Sequence, residues 1–423
     1  MKPNIVIVLI DALRPKNLSL FGYNKETDKN IKKIASESLF FSQHFSTSNS
    51  TYPSLTSLFT SQYPNTHGVI HQYPYMNKKE FEDLRKNKFW FPIYLKKLGY
   101  NTFSMTPLFL WLKKGFDYVK QMPKPGLYRK ITDNKIIKKI LLRFPNFLYS
   151  FLKKIIKRNP SSDFSKSKEI IDSALFKIKE AQKRQEPFFL FMHLEYTHFP
   201  YPRVKFQKTK GKIGKNEILK NIKTQSQKEY IKKRFEDINL DYLEQIKTKY
   251  DSAIKETDEQ IGRLYSLLRK TKLWDNTIFI LLADHGDSLG EHGIYFSHAG
   301  VYDETTHTPL IMHLPKIKPQ KINELVQNID IIPTILEYMG EKKLKSDGKS
   351  LIPLIKNGKP LRSKVLSFDG LCNDRKGIRT KNKKSIISKS GKCFLCGAEH
   401  GEEKEEYDLK KDPGELKNLY LKK

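Results

Sequence analysis

The chain has 423 residues, 38% of them hydrophobic with Phe 26 and Tyr 21, which excludes a peptide or a minimal binding module and suffices for one large domain with a smaller appended piece. Lys and Arg number 78 against 46 Asp and Glu, so the formal charge is +32. That excess favours an anionic partner such as nucleic acid, anionic lipid or acidic polymer, although a Lys-rich composition alone would give the same figure. Three cysteines, Cys372, Cys393 and Cys396, are too few for a disulfide framework. The Cys393-x-x-Cys396 spacing has no second pair, and His400 supplies one further ligand where zinc needs two, so ordinary reduced thiols and a cytoplasmic setting are expected.

The first element is Asn4 to Ile10, six apolar residues in a row closed by Asp11. The run is too short for a signal-peptide core or a membrane span and reads as a strand buried on both faces. Ser50-Thr51-Tyr52-Pro53-Ser54 opens a helix with Leu55, Leu58 and Phe59 on its apolar face. A hydroxyl residue just ahead of a Pro near position N1 or N2 marks a helix start, which favours anions.

The segment 134–158 carries eight Lys or Arg, no acid, and apolar residues recurring at three and four. Such a segment is expected either as an interfacial helix pair split at Pro145, docking on anionic lipid at the inner face of the membrane, or as a core pair with solvated lysines. Lys-rich stretches around Lys120 to Asn134 and Arg203 to Thr224 read as surface insertions.

Pro187 to Glu195 and Thr277 to Asp284 are further apolar strands. A helix of spacing near 3.6, with Tyr250, Ile254, Ile261, Leu264 and Leu268, is predicted from about Lys228 to Lys272. Strands alternating with helices predict an α/β fold, a doubly wound, mostly parallel sheet flanked by helices, over 1–342. A composition shift predicts a smaller α+β subdomain over 343–423, a small sheet and a terminal helix.

In such sheets sites lie at the carboxyl ends of the strands. Asp11 closes the first strand and Asp284-His285-Gly286 a late one, while Thr51 sits at a helix start. Two carboxylates, an imidazole and a hydroxyl make a candidate site for one divalent ion, Mg, Ca, Mn or Zn. Asp11 alone would read as a turn residue after a strand, and Thr51 alone would serve equally as a helix cap. Asp251 and Asp258, on the long helix, are expected to be solvated or supporting, and His292 to shape a loop.

In order and spacing these motifs resemble the sulfatase family of the alkaline phosphatase superfamily. The matching stretches include Ile7-Val8-Leu9-Ile10-Asp11, Thr51-Tyr52-Pro53-Ser54, Thr197-His198-Phe199-Pro200, Ala283-Asp284-His285-Gly286-Asp287 and Gly290-Glu291-His292-Gly293, followed by His298, Asp330-Ile331-Ile332-Pro333-Thr334 and Tyr407-Asp408-Leu409. The resemblance implies a metal at the sheet edge, a nucleophile upon it, and attack on a tetrahedral sulfur or phosphorus of a sulfate or phosphate ester.

Departures from the family pattern shape the expectation. The usual nucleophile is a Cys or Ser converted to formylglycine in a Cys/Ser-x-Pro-x-Arg context, where this chain has Thr51 and Leu55. The second acid after the first strand is Ala12, and the expected Lys and His fall near Pro107 and Phe109. A Thr nucleophile is what phosphodiesterase, phosphoethanolamine and phosphoglycerol transferase relatives imply, with His198 and His298 binding the oxyanion or protonating the leaving group. The alternative is a catalytically weakened protein that binds an anionic polymer or lipid surface. Nucleic acid rests on charge alone, since no zinc finger, RNP pattern or Gly-x-x-Gly clamp is present.

Overall fold

The computed structural model describes residues 2–86, 89–106, 113–120, 165–201, 211–372, 374–389 and 392–420. Its main sheet has eight strands in the order Gln320–Ile322, Leu39–Phe41, Leu310–His313, Thr277–Ala283, Asn4–Ile10, Phe188–Leu194, Asn101–Met105 and Tyr118–Lys120. The first strand lies at the centre, parallel to both neighbours, with Ile7 opposite Phe191 and Ile280. Leu310–His313 alone runs antiparallel to the strands beside it.

The two faces of the sheet follow from side-chain alternation along the strands. Val6, Val8 and Ile10 pack on one side with Ile170, Ile178, Ile261 and Leu264 from the helices Ser165–Arg184 and Leu243–Lys270. Ile5, Ile7 and Leu9 pack on the other with Leu55, Phe59, Phe91 and Ile332. A centre buried on both sides explains why the strand reads as a continuous apolar run.

A second sheet of four antiparallel strands, Val365–Phe368, Arg375–Arg379, Lys383–Ser388 and Lys404–Asp408, follows in the C-terminal part. The terminal helix expected there is absent among the described residues; turns follow the last strand. Asp408, Asp412, Pro413 and Gly414 favour turns over a helix.

The long helix predicted from Lys228 to Lys272 is two helices, Gln225–Ile238 and Leu243–Lys270. Asn239 adopts a left-handed φ of 51° and ends the first, a conformation Asn tolerates through its short polar side chain. Asp251 and Asp258 are buried rather than solvated. Asp251 accepts from Asn17 Nδ2 at 2.7 Å, Tyr23 at 2.8 Å and Lys25 at 2.8 Å. Asp258 accepts the backbone N–H groups of Asn30 and Ile31 at 2.9 and 2.8 Å, capping the helix Lys29–Ser36 from across the core.

Of the two Lys-rich stretches, 121–134 and 203–210 lie outside the described residues. The helix Lys215–Lys220 occupies part of the second and buries Ile218. The segment 134–158 also lies outside them. Among the described residues no helix is long and apolar enough to cross a membrane.

Candidate active site

Two neighbouring parallel strands, Asn4–Ile10 and Thr277–Ala283, end together and deliver Asp11 and Asp284 to one point at the carboxyl edge. Beyond the first strand Ala12 takes a left-handed φ of 57°, and its N–H reaches Asp284 Oδ1 at 3.2 Å. Asp284 Oδ1 also accepts from the His285 N–H at 2.9 Å. Asp284 Oδ2 and Asp11 Oδ1 are buried without a hydrogen-bond partner. The remaining oxygen of Asp11, Oδ2, lies 3.2 Å from His193 Nε2.

His285 Nδ1 is 2.8 Å from the Gly286 carbonyl oxygen, so Nδ1 carries the proton and donates it there. The lone pair of Nε2 is thereby turned toward Thr51 Oγ1 at 3.2 Å and toward Asp11 Oδ1 and Asp284 Oδ2, each at 3.5 Å. Gly286 permits this turn because a Cβ there would meet the Glu304 carbonyl oxygen at 2.0 Å.

The donor set fits a divalent cation. Two buried carboxylate oxygens without partners and one imidazole lone pair converge, and Asp11, Asp284 and His285 place their ligand atoms within 4.8 Å of one another. Burial, then the charge of Asp284, pushes the Asp11 carboxyl well above the usual carboxylate range, as like charges without a counter-ion must. A divalent cation bound there would balance this charge and take a ligand oxygen from each acid.

Thr51 is the first residue of the helix Thr51–Thr60, after Ser50 in an extended conformation. Pro53 falls at the third position rather than N1 or N2, still within the turn whose N–H groups have no helical partner. The helix is tied to the strand end by Ser54 Oγ, which donates to the Asp284 carbonyl at 2.8 Å, and by Asn328 Nδ2, which donates to the Ser54 carbonyl at 3.1 Å. Thr51 Oγ1 is therefore held beside His285 Nε2 at the positive end of the helix.

His298 stacks on His285, ring centres 4.3 Å apart, and His198 lies 5.8 Å from His298. His298 is buried, with Nδ1 2.5 Å from the Asn49 carbonyl oxygen. Burial and then the neighbouring His285 hold its pKa well below the usual imidazole range. His198 is half-buried, with Nδ1 2.7 Å from the Phe199 carbonyl oxygen.

All six residues singled out from the sequence, Asp11, Thr51, His198, Asp284, His285 and His298, thus meet at one edge. Pro107 and Phe109 lie outside the described residues. His292 is set apart, stacked on Tyr302 at 3.7 Å with Nε2 3.4 Å from Glu304.

Sequence reasoning missed His193, which orients Asp11, and Arg234, whose charge reaches His298 from the helix Gln225–Ile238. An ionisable residue inside the apolar run Phe188–Leu194 was the available signal for His193, because such a group needs a buried partner. Nothing local marked Arg234.

Comparison with known proteins fits this geometry. A family profile described as Sulfatase matches residues 3–341, and one described as N-sulphoglucosamine sulphohydrolase, C-terminal, matches 290–423. The chain is 30% identical over 195 residues to the multifunctional alkaline phosphatase superfamily protein PehA of Trinickia caryophylli, covering 42% of this chain and 37% of that one. The chain thus spans just over a third of that relative's length. An arylsulfatase of Clostridium perfringens is 25% identical over 453 residues, 99% of this chain and 90% of the relative. The crystal structure of the phosphonate monoester hydrolase of Agrobacterium radiobacter shares the fold with a TM-score of 0.67 at 18% identity, covering 99% and 92% of the two chains.

Proposed function

The chain belongs to the sulfatase family, and on that premise we propose that it is a metal-dependent hydrolase of sulfate or phosphate esters whose nucleophile is the unmodified Thr51 hydroxyl. The observation that carries this reading is the position of Thr51 Oγ1, 3.2 Å from His285 Nε2 at a helix start and beside the two acids. Asp11, Asp284, His285 and Thr51 would hold one divalent ion, Ca, Mn, Mg or Zn. Such an ion would lower the pKa of the Thr51 hydroxyl and offset charge on the oxygens of the reacting centre.

Each remaining role belongs to the chain itself. The N–H groups at the start of the helix Thr51–Thr60 face an anionic centre placed over Thr51. The Thr51 oxygen attacks in line, and the departing ester oxygen takes a proton as its bond to sulfur or phosphorus breaks. His198 is the better proton donor because it reaches solvent, whereas buried His298 is held neutral and anchored to Asn49. His298 therefore suits contact with the non-bridging oxygens.

The threonyl ester so formed has no second hydroxyl to expel the group, so it is released by attack of water at sulfur or phosphorus. That requirement favours phosphate esters and diesters over sulfate esters, and an acceptor alcohol in place of water would make the same step a transfer. The complete acid, imidazole and hydroxyl set supports an enzyme over a weakened anion-binding protein.

A metal-supplemented panel of aryl sulfate, aryl phosphate and aryl phosphodiester substrates tests the proposal. Turnover of at least one, lost on chelation, is expected; no turnover of any with each of the four metals would reject it. His198→Ala should cost on the order of 10²–10⁴-fold on alkyl esters, whose leaving groups need a proton, and much less on nitrophenyl esters. Equal losses on both would remove His198 from proton transfer.

A further inference from the structure

All three cysteines of the chain lie in the C-terminal part, remote in sequence from the acids of the candidate active site. Cys393, Cys396 and His400 place their ligand atoms within 4.8 Å of one another, and Cys396 Sγ is 3.0 Å from His400 Nε2. Phe394 N–H donates to the Leu371 carbonyl at 2.9 Å, which seats Cys372 beside this loop, within range of charge interaction with Cys393. The four side chains are buried, with exposures of 2%, 4%, 6% and 7% for Cys372, Cys393, Cys396 and His400.

We infer that Cys372, Cys393, Cys396 and His400 form a structural zinc site, separate from the active-site cation. Zinc in structural sites is tetrahedral with thiolate and imidazole ligands, at about 2.3 Å to sulfur and about 2.0 Å to nitrogen, which separates neighbouring ligand atoms by roughly 3.5–3.8 Å. The ligand atoms of Cys393, Cys396 and His400, within 4.8 Å of one another, reach that spacing by small rotations, and Cys372, brought to this loop by the Leu371 to Phe394 backbone bond, is the fourth ligand that the proposal adds.

The backbone is also built for the site. Gly397 takes a φ of 68° and its N–H donates to the Cys393 carbonyl at 2.8 Å, closing the Cys-x-x-Cys segment into a turn that brings both sulfurs to one side. The Cys393 N–H in turn donates to the Ala398 carbonyl at 2.8 Å, so the loop returns toward His400. Arg234 presents its positive charge to Cys396, which offsets the excess negative charge of three thiolates around one divalent ion.

The site would have a structural consequence for the active site. Just before Cys372, Gly370 N–H donates to Asn49 Oδ1 at 2.8 Å and Asp369 accepts from Asn49 Nδ2 at 2.8 Å. Asn49 is also the residue whose carbonyl holds His298. A metal on Cys372 would therefore fix the segment that braces this wall.

The test is metal analysis of the full chain, with an Asp284→Asn variant to remove the contribution of the proposed active-site cation. About one zinc per chain should persist in Asp284→Asn and be lost in Cys396→Ser. Replacement by cobalt in the unaltered chain should give a sulfur-to-cobalt charge-transfer band in the near ultraviolet, weakened in Cys372→Ser. That spectrum keeps the proposal testable even where a Cys variant fails to fold. Zinc-free native protein whose thiols react freely, a Cys393–Cys396 disulfide in the mass spectrum, or cobalt loading without the charge-transfer band would each overturn it. Neither the cobalt spectrum nor zinc retention depends on turnover, so failure here leaves the ester-hydrolase reading standing.

Discussion

Thr51→Ala is expected to reduce turnover by on the order of 10⁴–10⁶-fold, because removing an enzyme's nucleophile forfeits the covalent route and leaves only binding and charge stabilisation. The fold should survive. Thr51 contributes one hydroxyl and one methyl at the surface of the candidate site, and Ala is an excellent helix former in the first turn. The structural links of this helix run through Ser54, Asn328, Leu55 and Phe59 and are untouched. Circular dichroism and thermal melting should match the parent chain while steady-state kinetics collapse. Thr51→Ser should keep substantial activity, since it preserves the hydroxyl beside His285 Nε2. Turnover within a few-fold of the parent in Thr51→Ala would mean that another group attacks the ester.

The second large effect concerns Asp284. Asparagine at this position keeps Oδ1, which accepts from Ala12 and His285, and so preserves the local turn while removing the charge. Bound metal should fall well below that of the parent by elemental analysis. Activity should drop by roughly 10²–10³-fold or more, as the charge that positions and polarises the reacting oxygens is lost. Stability should respond with opposite signs in the two metal states. In metal-free protein Asp11 and Asp284 repel each other in a buried site, so Asp284→Asn should melt at a higher temperature than the parent. With metal supplied the parent gains binding energy that the variant lacks, and the order should invert. A variant that is less stable in both states, with unchanged metal content, would show that Asp284 serves the turn and not a cation.

The central strands were legible because a strand buried on both faces must be apolar throughout, and both Asn4–Ile10 and Thr277–Ala283 end abruptly at an acid. From there the position of the site followed, since parallel strands side by side bring Asp11 and Asp284 together. His198 and His298 entered through a family resemblance, and the structure sets them around His285. What stayed hidden depends on distant packing. His193 looks like part of an apolar run until Asp11 is seen beside it.

The helix break at Asn239 was masked by apolar residues that keep a helical period on both sides of it, Ile231, Phe235 and Ile238 before and Leu243 and Ile246 after. The hydrogen bonds that Asp251 and Asp258 make to the 17–31 segment join residues more than 220 positions apart. Cys372 is 21 positions from Cys393, a separation that matches no short motif, and the Leu371 to Phe394 backbone bond brings their segments together. Local pattern specifies elements and their ends; the partners of buried polar groups are set by which elements become neighbours.

The most direct measurement is mass spectrometry of the peptide containing Thr51 after rapid acid quench of the metal-loaded chain turning over an aryl phosphate, phosphodiester or sulfate. The covalent reading predicts a phosphoryl or sulfuryl group on Thr51 itself, present only with substrate and absent from Thr51→Ala. Turnover that proceeds at the full rate while Thr51 remains unmodified at every quench time, with the quench shown to preserve a synthetic phosphothreonine peptide, would contradict it.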